Sequence, residues 1–304
     1  MRHPIASAIK SRQARGFRWR KALHLQIFLL LSAVAFMALP TTATSALPGG
    51  AVYFSGMKGF DSACAPNLGT MDAWWNSSPY WDIGVYLGGR NVSCKTNTNL
   101  TANWVSHNVG PWEIAPIWVD YQAPAGCISD AYGTHMSSDT NTSRAQGVQA
   151  GRDAMARAEP LGFSRATVIY LDLEPYTDGN ATCHNAVKWF VDGWVGVLHA
   201  EFAGTNGGVY YSDGVGNSGI NDWATVPNPP DVIWGARANG NTHTSSPGLT
   251  GVNSNLWTNA TRIHQYSGGH TETWGGASVG MDNDCSWGRL AGTGHGGNQD
   301  PSCN

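Results

Sequence analysis

Ile169-Tyr170-Leu171-Asp172-Leu173-Glu174-Pro175-Tyr176 is the stretch on which the reading of this 304-residue chain turns. An apolar run leads into Asp-Leu-Glu and stops at Pro175, which reads as a buried strand ending in two acids. On a strand, residues i and i+2 project to one face. Asp172 and Glu174 therefore enter the same space while Leu173 packs the other way. Two carboxyl groups held that close repel when both are ionised, which raises the pKa of one. A protonated carboxyl beside an ionised one is the division of labour that cleavage of a glycosidic bond requires.

Working outward, similar runs recur at Ala51–Phe60, Trp81–Leu87, Ile114–Asp120, Ala166–Glu174, Gly208–Ser212, Asp231–Arg237, Arg262–Tyr266 and Ala277–Asp282. Several are near-continuous in Val, Ile, Tyr and Trp, as expected of parallel strands buried on both faces. Between them lie helix-like segments at Asn67–Trp75, Leu100–His107, Ser143–Leu161 and Ala181–Phe202; the last carries Val187, Phe190, Val191, Trp194 and Leu198 along one stripe. Eight strands with crossovers in residues 47–304 predict an α/β fold, a single TIM-like (β/α)8 barrel with irregular last βα units. The competing open, doubly wound sheet would want a Gly-rich dinucleotide turn after its first strand, and Gly59-Phe60-Asp61-Ser62-Ala63 is not one.

In such a barrel the strand C-termini converge on one mouth, where barrel enzymes do their chemistry. Carboxylates fall at the ends of strands one, four and eight, which makes Asp61, Asp172, Glu174 and Asp282 the candidate catalytic residues. Aromatic residues at strand ends, Tyr211, Trp234 and Tyr121, are candidates for stacking on a sugar face, and Gln265 and Arg237 for orienting hydroxyls. His264 alternates with Gln265 and is expected to face the helix layer. Ser212 and Cys64 lack the nucleophile-elbow or Cys–His setting that acyl transfer needs.

Charge and cysteine usage bound the rest. Residues 1–46 hold seven Lys and Arg and no acid, followed within that span by the apolar run Ile27–Leu39 and small residues up to Ala46. That order reads as a secretory signal peptide, with an uncleaved anchor as the alternative; the run of 13 is short of a bilayer span. The remainder carries 11 Lys and Arg against 21 Asp and Glu, an excess of acid that argues against nucleic-acid binding. All six cysteines lie after residue 46, and an even count in an exported chain reads as disulfides, with 15 pairings open and pairing in chain order the expectation. No metal-ligand spacing and no cofactor motif is present, and a monomer without stable membrane insertion after signal cleavage is expected.

The set Gly59-Phe60-Asp61, Trp81 to Gly89, Pro116-Ile117-Trp118-Val119, Ile169 to Tyr176, Gly208 to Ser212, Asp231 to Arg237, Ile263 to Tyr266 and Val279 to Asp282, in that order, resembles the secreted glycoside-hydrolase-like barrel domain of actinobacteria. That family is in turn similar to the family-25 glycoside hydrolases, the lysozyme-type muramidases. The resemblance implies a general acid at Glu174, an electrostatic partner at Asp172 and an acidic cluster completed by Asp61 and Asp282. It also aligns Gln265, Trp234 and Tyr211 with residues of the family's strands seven, six and five. Together these readings point to a secreted or envelope-associated glycosidase of retaining type acting on peptidoglycan or another polysaccharide. The rivals are a glycan-binding barrel without turnover and a structural envelope protein.

Overall fold

The computed structural model describes residues 52–53, 56–202, 207–212, 217–245, 248–258, 260–292 and 303, all within the unit Ala43–Asn304. The expected signal peptide, 1–46, lies outside them. Eight strands close a barrel: β1 (Met57–Ser62), β2 (Asp82–Gly88), β3 (Glu113–Trp118), β4 (Ile169–Leu173), β5 (Gly207–Ser212), β6 (Val232–Ala236), β7 (Arg262–Trp274) and β8 (Ala277–Trp287). Strands β1 to β7 run parallel, and β8 is antiparallel to both its neighbours, β7 and β1. Val52–Tyr53 and Arg289–Leu290 pair separately as a short antiparallel ribbon.

Eight strands are present as expected, but a full (β/α)8 alternation is not. Among the described residues α-helices follow only the first five strands: α1 (Leu68–Trp75), α2 (Ala102–Asn108), α3 (Thr140–Ala158), α4 (Ala181–Glu201) and α5 (Asn217–Trp223). Among the described residues no helix lies between β6 and β7, and β7 turns directly into β8 through Gly275 and Gly276, at φ 57° and 81°. Positive φ at both central residues is the hairpin turn that joins antiparallel strands, whereas parallel neighbours need a crossover. The last strand reverses because its turn permits it.

Two buried clusters result. One fills the barrel interior with Met57, Ile117, Tyr170, Tyr210, Trp234 and Ile263 among others. The other lies between the strands' outer faces and the helices and includes Ile83, Val85 and Leu87 of β2 and the apolar stripe of α4. Helix α4 starts at Asn180, whose side chain accepts from the Thr182 and Cys183 amides, the usual N-cap device. It packs on α3 at two glycines: a Cβ on Gly147 would come within 2.1 Å of the Phe190 carbonyl oxygen, and one on Gly193 within 2.1 Å of that of Arg144. Cys64–Cys94 ties the loop after β1 to the loop after β2, Cys127–Cys183 ties the loop after β3 to α4, and Cys285–Cys303 anchors residue 303 to β8. The pairing is the one expected in chain order. Among the described residues no helix is long and apolar enough to cross a membrane.

Candidate active site

Strand alternation sets which side chains enter the barrel. On β4, Tyr170 and Asp172 point inward, and across the interior the ring of Tyr210 on β5 stacks on the indole of Trp234 on β6, centroids 4.5 Å apart and planes 23° apart. Above this layer the acids gather. Asp61 on β1 lies opposite Asp282 on β8 in the strand register. The Gln265 side-chain amide on β7 donates to Asp61 Oδ2 (2.7 Å), to the Tyr210 hydroxyl (2.5 Å) and to Asp282 Oδ2 (3.2 Å). The backbone amide of Gly269 donates to the other oxygen of Asp282. Asp172 accepts from Tyr86 on β2 and is raised in pKa by its own burial and by the charges of Glu174 and Asp61. The four acids predicted from sequence therefore share one mouth.

Gln122 sets the end of β4. Its Nε2 donates to the Asp172 carbonyl (2.9 Å) and its Oε1 accepts from the Glu174 amide (2.8 Å), so one buried side chain brackets the Asp-Leu-Glu unit. Glu174 is half-buried and borders a cavity of about 390 Å³ lined also by Asn91, Ser93, Lys95, Gln122 and Tyr132.

Burial dominates the electrostatics. It pushes Asp61 up to about 8, with the negative charge of Asp282 adding to the rise and the Gln265 bond opposing it. Glu174 is raised by burial alone. Among the described residues none of Asp61, Asp172, Glu174 or Asp282 enters an ion pair. For Asp61 and Asp172, the fully buried pair, burial without a paired cation favours the neutral form.

The structure relocates four of the five substrate-binding candidates. Tyr211 follows the inward Tyr210 and so turns outward, its ring edge-on to Trp223 of α5 at 6.2 Å. Trp234 does point inward, but it is 1% exposed, covered on its face by Tyr210 and tied through Nε1 to Asp284 (3.0 Å). It is part of the floor, out of reach of a stacking sugar. The Arg237 guanidinium donates to the Thr250 carbonyl (2.8 Å), as the parity of β6 places it outside the interior. Tyr121 lies beyond the end of β3, between the Arg90 guanidinium at 4.4 Å and Phe190 of α4 at 6.2 Å. Among the described residues Gln265 alone of the five bonds to the acids predicted from sequence, Asp61 and Asp282. His264 is fully buried on the opposite face, its ring nitrogens against the carbonyls of His243 and Arg237.

Sequence reasoning missed Tyr210, Gln122 and Asp284. The first lost to its neighbour because Tyr210-Tyr211 is aromatic on both faces, so no period of two shows. An eighth parallel strand over Ala277–Asp282 ends at the mouth near Asp282 and leaves Asp284 in the loop beyond it. The antiparallel β8 instead enters there and carries Asp284 down into the interior, where burial and the charges of Asp61 and Asp82 hold its pKa well above the usual range. Below it, Asp82 of β2 is likewise pushed up to about 8 by burial, against a bond from the Ser286 hydroxyl (3.0 Å). Among the described residues no three His, Cys, Asp or Glu side chains are placed to hold a metal ion.

Three solved structures resemble the chain at low identity. The catalytic domain of endolysin ply40 from bacteriophage P40 of Listeria monocytogenes is 12% identical over 77% of this chain and 94% of its own, with a TM-score of 0.43. A family 25 glycosyl hydrolase from Bacillus anthracis is 12% identical over 79% and 94%, TM-score 0.43. A muramidase from Acremonium alcalophilum is 14% identical over 79% and 95%, TM-score 0.42. A comparison with curated proteins finds no match. Residues 72–286, which span β2 to β8 and contain every mouth acid except Asp61, match the model of one family. The chain belongs to the Rv2525c-like family of glycoside hydrolase-like domains.

Proposed function

We propose that the protein is an exported glycoside hydrolase that cleaves a cell-wall or other extracellular glycan, with Glu174 as proton donor. The observation that carries this reading is the placement of Asp172 and Glu174 side by side at the end of β4, bracketed by Gln122 and facing Asp61 and Asp282, with none of the four in an ion pair among the described residues. The charge of Glu174 raises Asp172, so in the free protein the deeper carboxyl holds its proton the more firmly, and the division of roles requires that bound substrate shift the proton to Glu174 and leave Asp172 ionised. Glu174, the less buried and next to the cavity, delivers its proton to the glycosidic oxygen as the bond to the anomeric carbon breaks and that oxygen takes the electron pair. Asp172 lies deeper and faces the developing positive charge. A retaining course here uses the substrate's own N-acetyl group as nucleophile, positioned by Asp172. Three disulfides suit an oxidising compartment, which supports export.

A second reading, binding without turnover, draws on the protonated state of Asp61 and Asp172: neutral carboxyls both donate to and accept from sugar hydroxyls. One experiment separates the two. The protein is incubated with purified peptidoglycan and a panel of bacterial polysaccharides, and new reducing ends and released fragments are measured by mass spectrometry. Fragments from one glycan support hydrolysis. Saturable binding with no new ends supports the second reading, and neither result on any glycan defeats both.

A further inference from the structure

Asp284 is fully buried in the barrel interior, below the mouth. One of its oxygens, Oδ1, accepts from the Trp234 indole at 3.0 Å. The other, Oδ2, has no hydrogen-bond partner among the described residues, and in the strand register Asp284 lies between Gly59 and Gln265, the residue whose amide holds Asp61 Oδ2 at 2.7 Å, which makes the Asp61 carboxyl its neighbour. Two carboxylates offer each other only acceptors, so no bond forms between them while both are ionised. One proton changes that: placed on either carboxyl it supplies a donor for the other. The titratable groups facing Asp284 are Asp61 on β1, Asp82 on β2, Asp282 on its own strand and Tyr210 on β5. All are acids, so nothing there compensates a second negative charge.

We propose that Asp284 is a positioning residue of the site, which shares one proton with Asp61 and thereby fixes the Asp61 carboxyl against Gln265. The proton moves between two oxygens and no bond to carbon changes. The shared proton keeps one negative charge out of the mouth, so that Asp172 and Glu174 respond to each other and to substrate. Trp234 orients Asp284 by its indole N–H, which explains why so large a side chain occupies the floor. For its effect on turnover the inference rests on the proposed hydrolase reading; the shared proton itself does not.

The test uses the whole protein labelled with carbon-13 at aspartate carboxyls and titrated by NMR, with the Asp61 resonance identified by its absence in Asp61→Asn. In Asp284→Asn the amide keeps the acceptor for Trp234 and gives Asp61 a donor that carries no ionisable proton. The expected result is that the Asp61 midpoint falls by at least about one pH unit, and that the pH profile of glycan cleavage shifts with it. An Asp61 midpoint unchanged in Asp284→Asn overturns the proposal. Should that variant not fold, the wild-type titration decides: Asp61 and Asp284 moving together in two shared steps supports the pair, and independent single steps overturn it. A shifted midpoint in a protein that cleaves no glycan leaves the shared proton standing and removes the hydrolase reading.

Discussion

Gln122 and Glu174 are joined through the backbone, the Gln122 side-chain oxygen accepting from the Glu174 amide at 2.8 Å, and the same side chain holds the Asp172 carbonyl at 2.9 Å. A residue from the loop after β3 thus sets the angle at which the acidic pair leaves β4. Replacing Gln122 with Ala strands a buried N–H and C=O at about 1–3 kcal/mol. We expect a matching drop in the urea midpoint and a larger relative loss of glycan cleavage. A variant with wild-type stability and turnover would show that the bracket is incidental.

Glu174→Gln removes the transferable proton while keeping shape. Proton donation of this kind contributes about 10² to 10⁴ in rate, so cleavage of the responsive glycan should fall by that factor. The circular dichroism spectrum should be unchanged, since among the described residues no hydrogen bond to the Glu174 carboxyl holds the fold. Undiminished release of reducing ends would reassign the proton donor.

Asp61 and Asp82, both pushed up to about 8, set how stability depends on pH. Their folded pKa values lie above those of the unfolded chain, so between about 4 and 8 the folded state binds the extra protons and stability falls as pH rises. Urea midpoints should be highest near the lower end of that window and decline toward pH 8, by an amount on the order of a few kcal/mol. Midpoints that climb steadily from pH 5 to pH 8 would contradict the buried neutral acids.

Tyr210 and Tyr211 are adjacent but opposite in direction. Tyr210→Phe keeps the stack on Trp234 and deletes the hydroxyl that accepts from Gln265, so glycan cleavage or binding should weaken several-fold. Tyr211→Phe changes the α5 side of the barrel wall and should leave turnover unchanged. The comparison is read from steady-state rates of both variants, and the reverse ranking would mean that the strand faces are exchanged.

Gly59 leaves room for an acid. A Cβ there would sit 1.9 Å from Asp82 Oδ1, and Asp82 is walled in by the barrel. Gly59→Ala should therefore cost about 1–3 kcal/mol by overpacking, measured as a lower thermal midpoint. A neutral substitution would show that Asp82 has space to withdraw.

Much of this architecture was readable from residue order alone. Eight apolar runs specify eight strands, because a strand buried on both faces needs continuous apolar residues. The Asp-Leu-Glu alternation likewise puts Asp172 and Glu174 on one side of whichever sheet they join. What tertiary structure decided was direction. The reversal of β8 depends on a hairpin through Gly275 and Gly276, and it sends Asp284 inward instead of up to the rim. The choice between Tyr210 and Tyr211, and the burial of Trp234, follow from which face closes the barrel. Local sequence carries no sign for that choice when both faces are apolar. Only closure of the ring, which brings β1 against β8 and Asp61 against Asp282, distinguishes inside from outside.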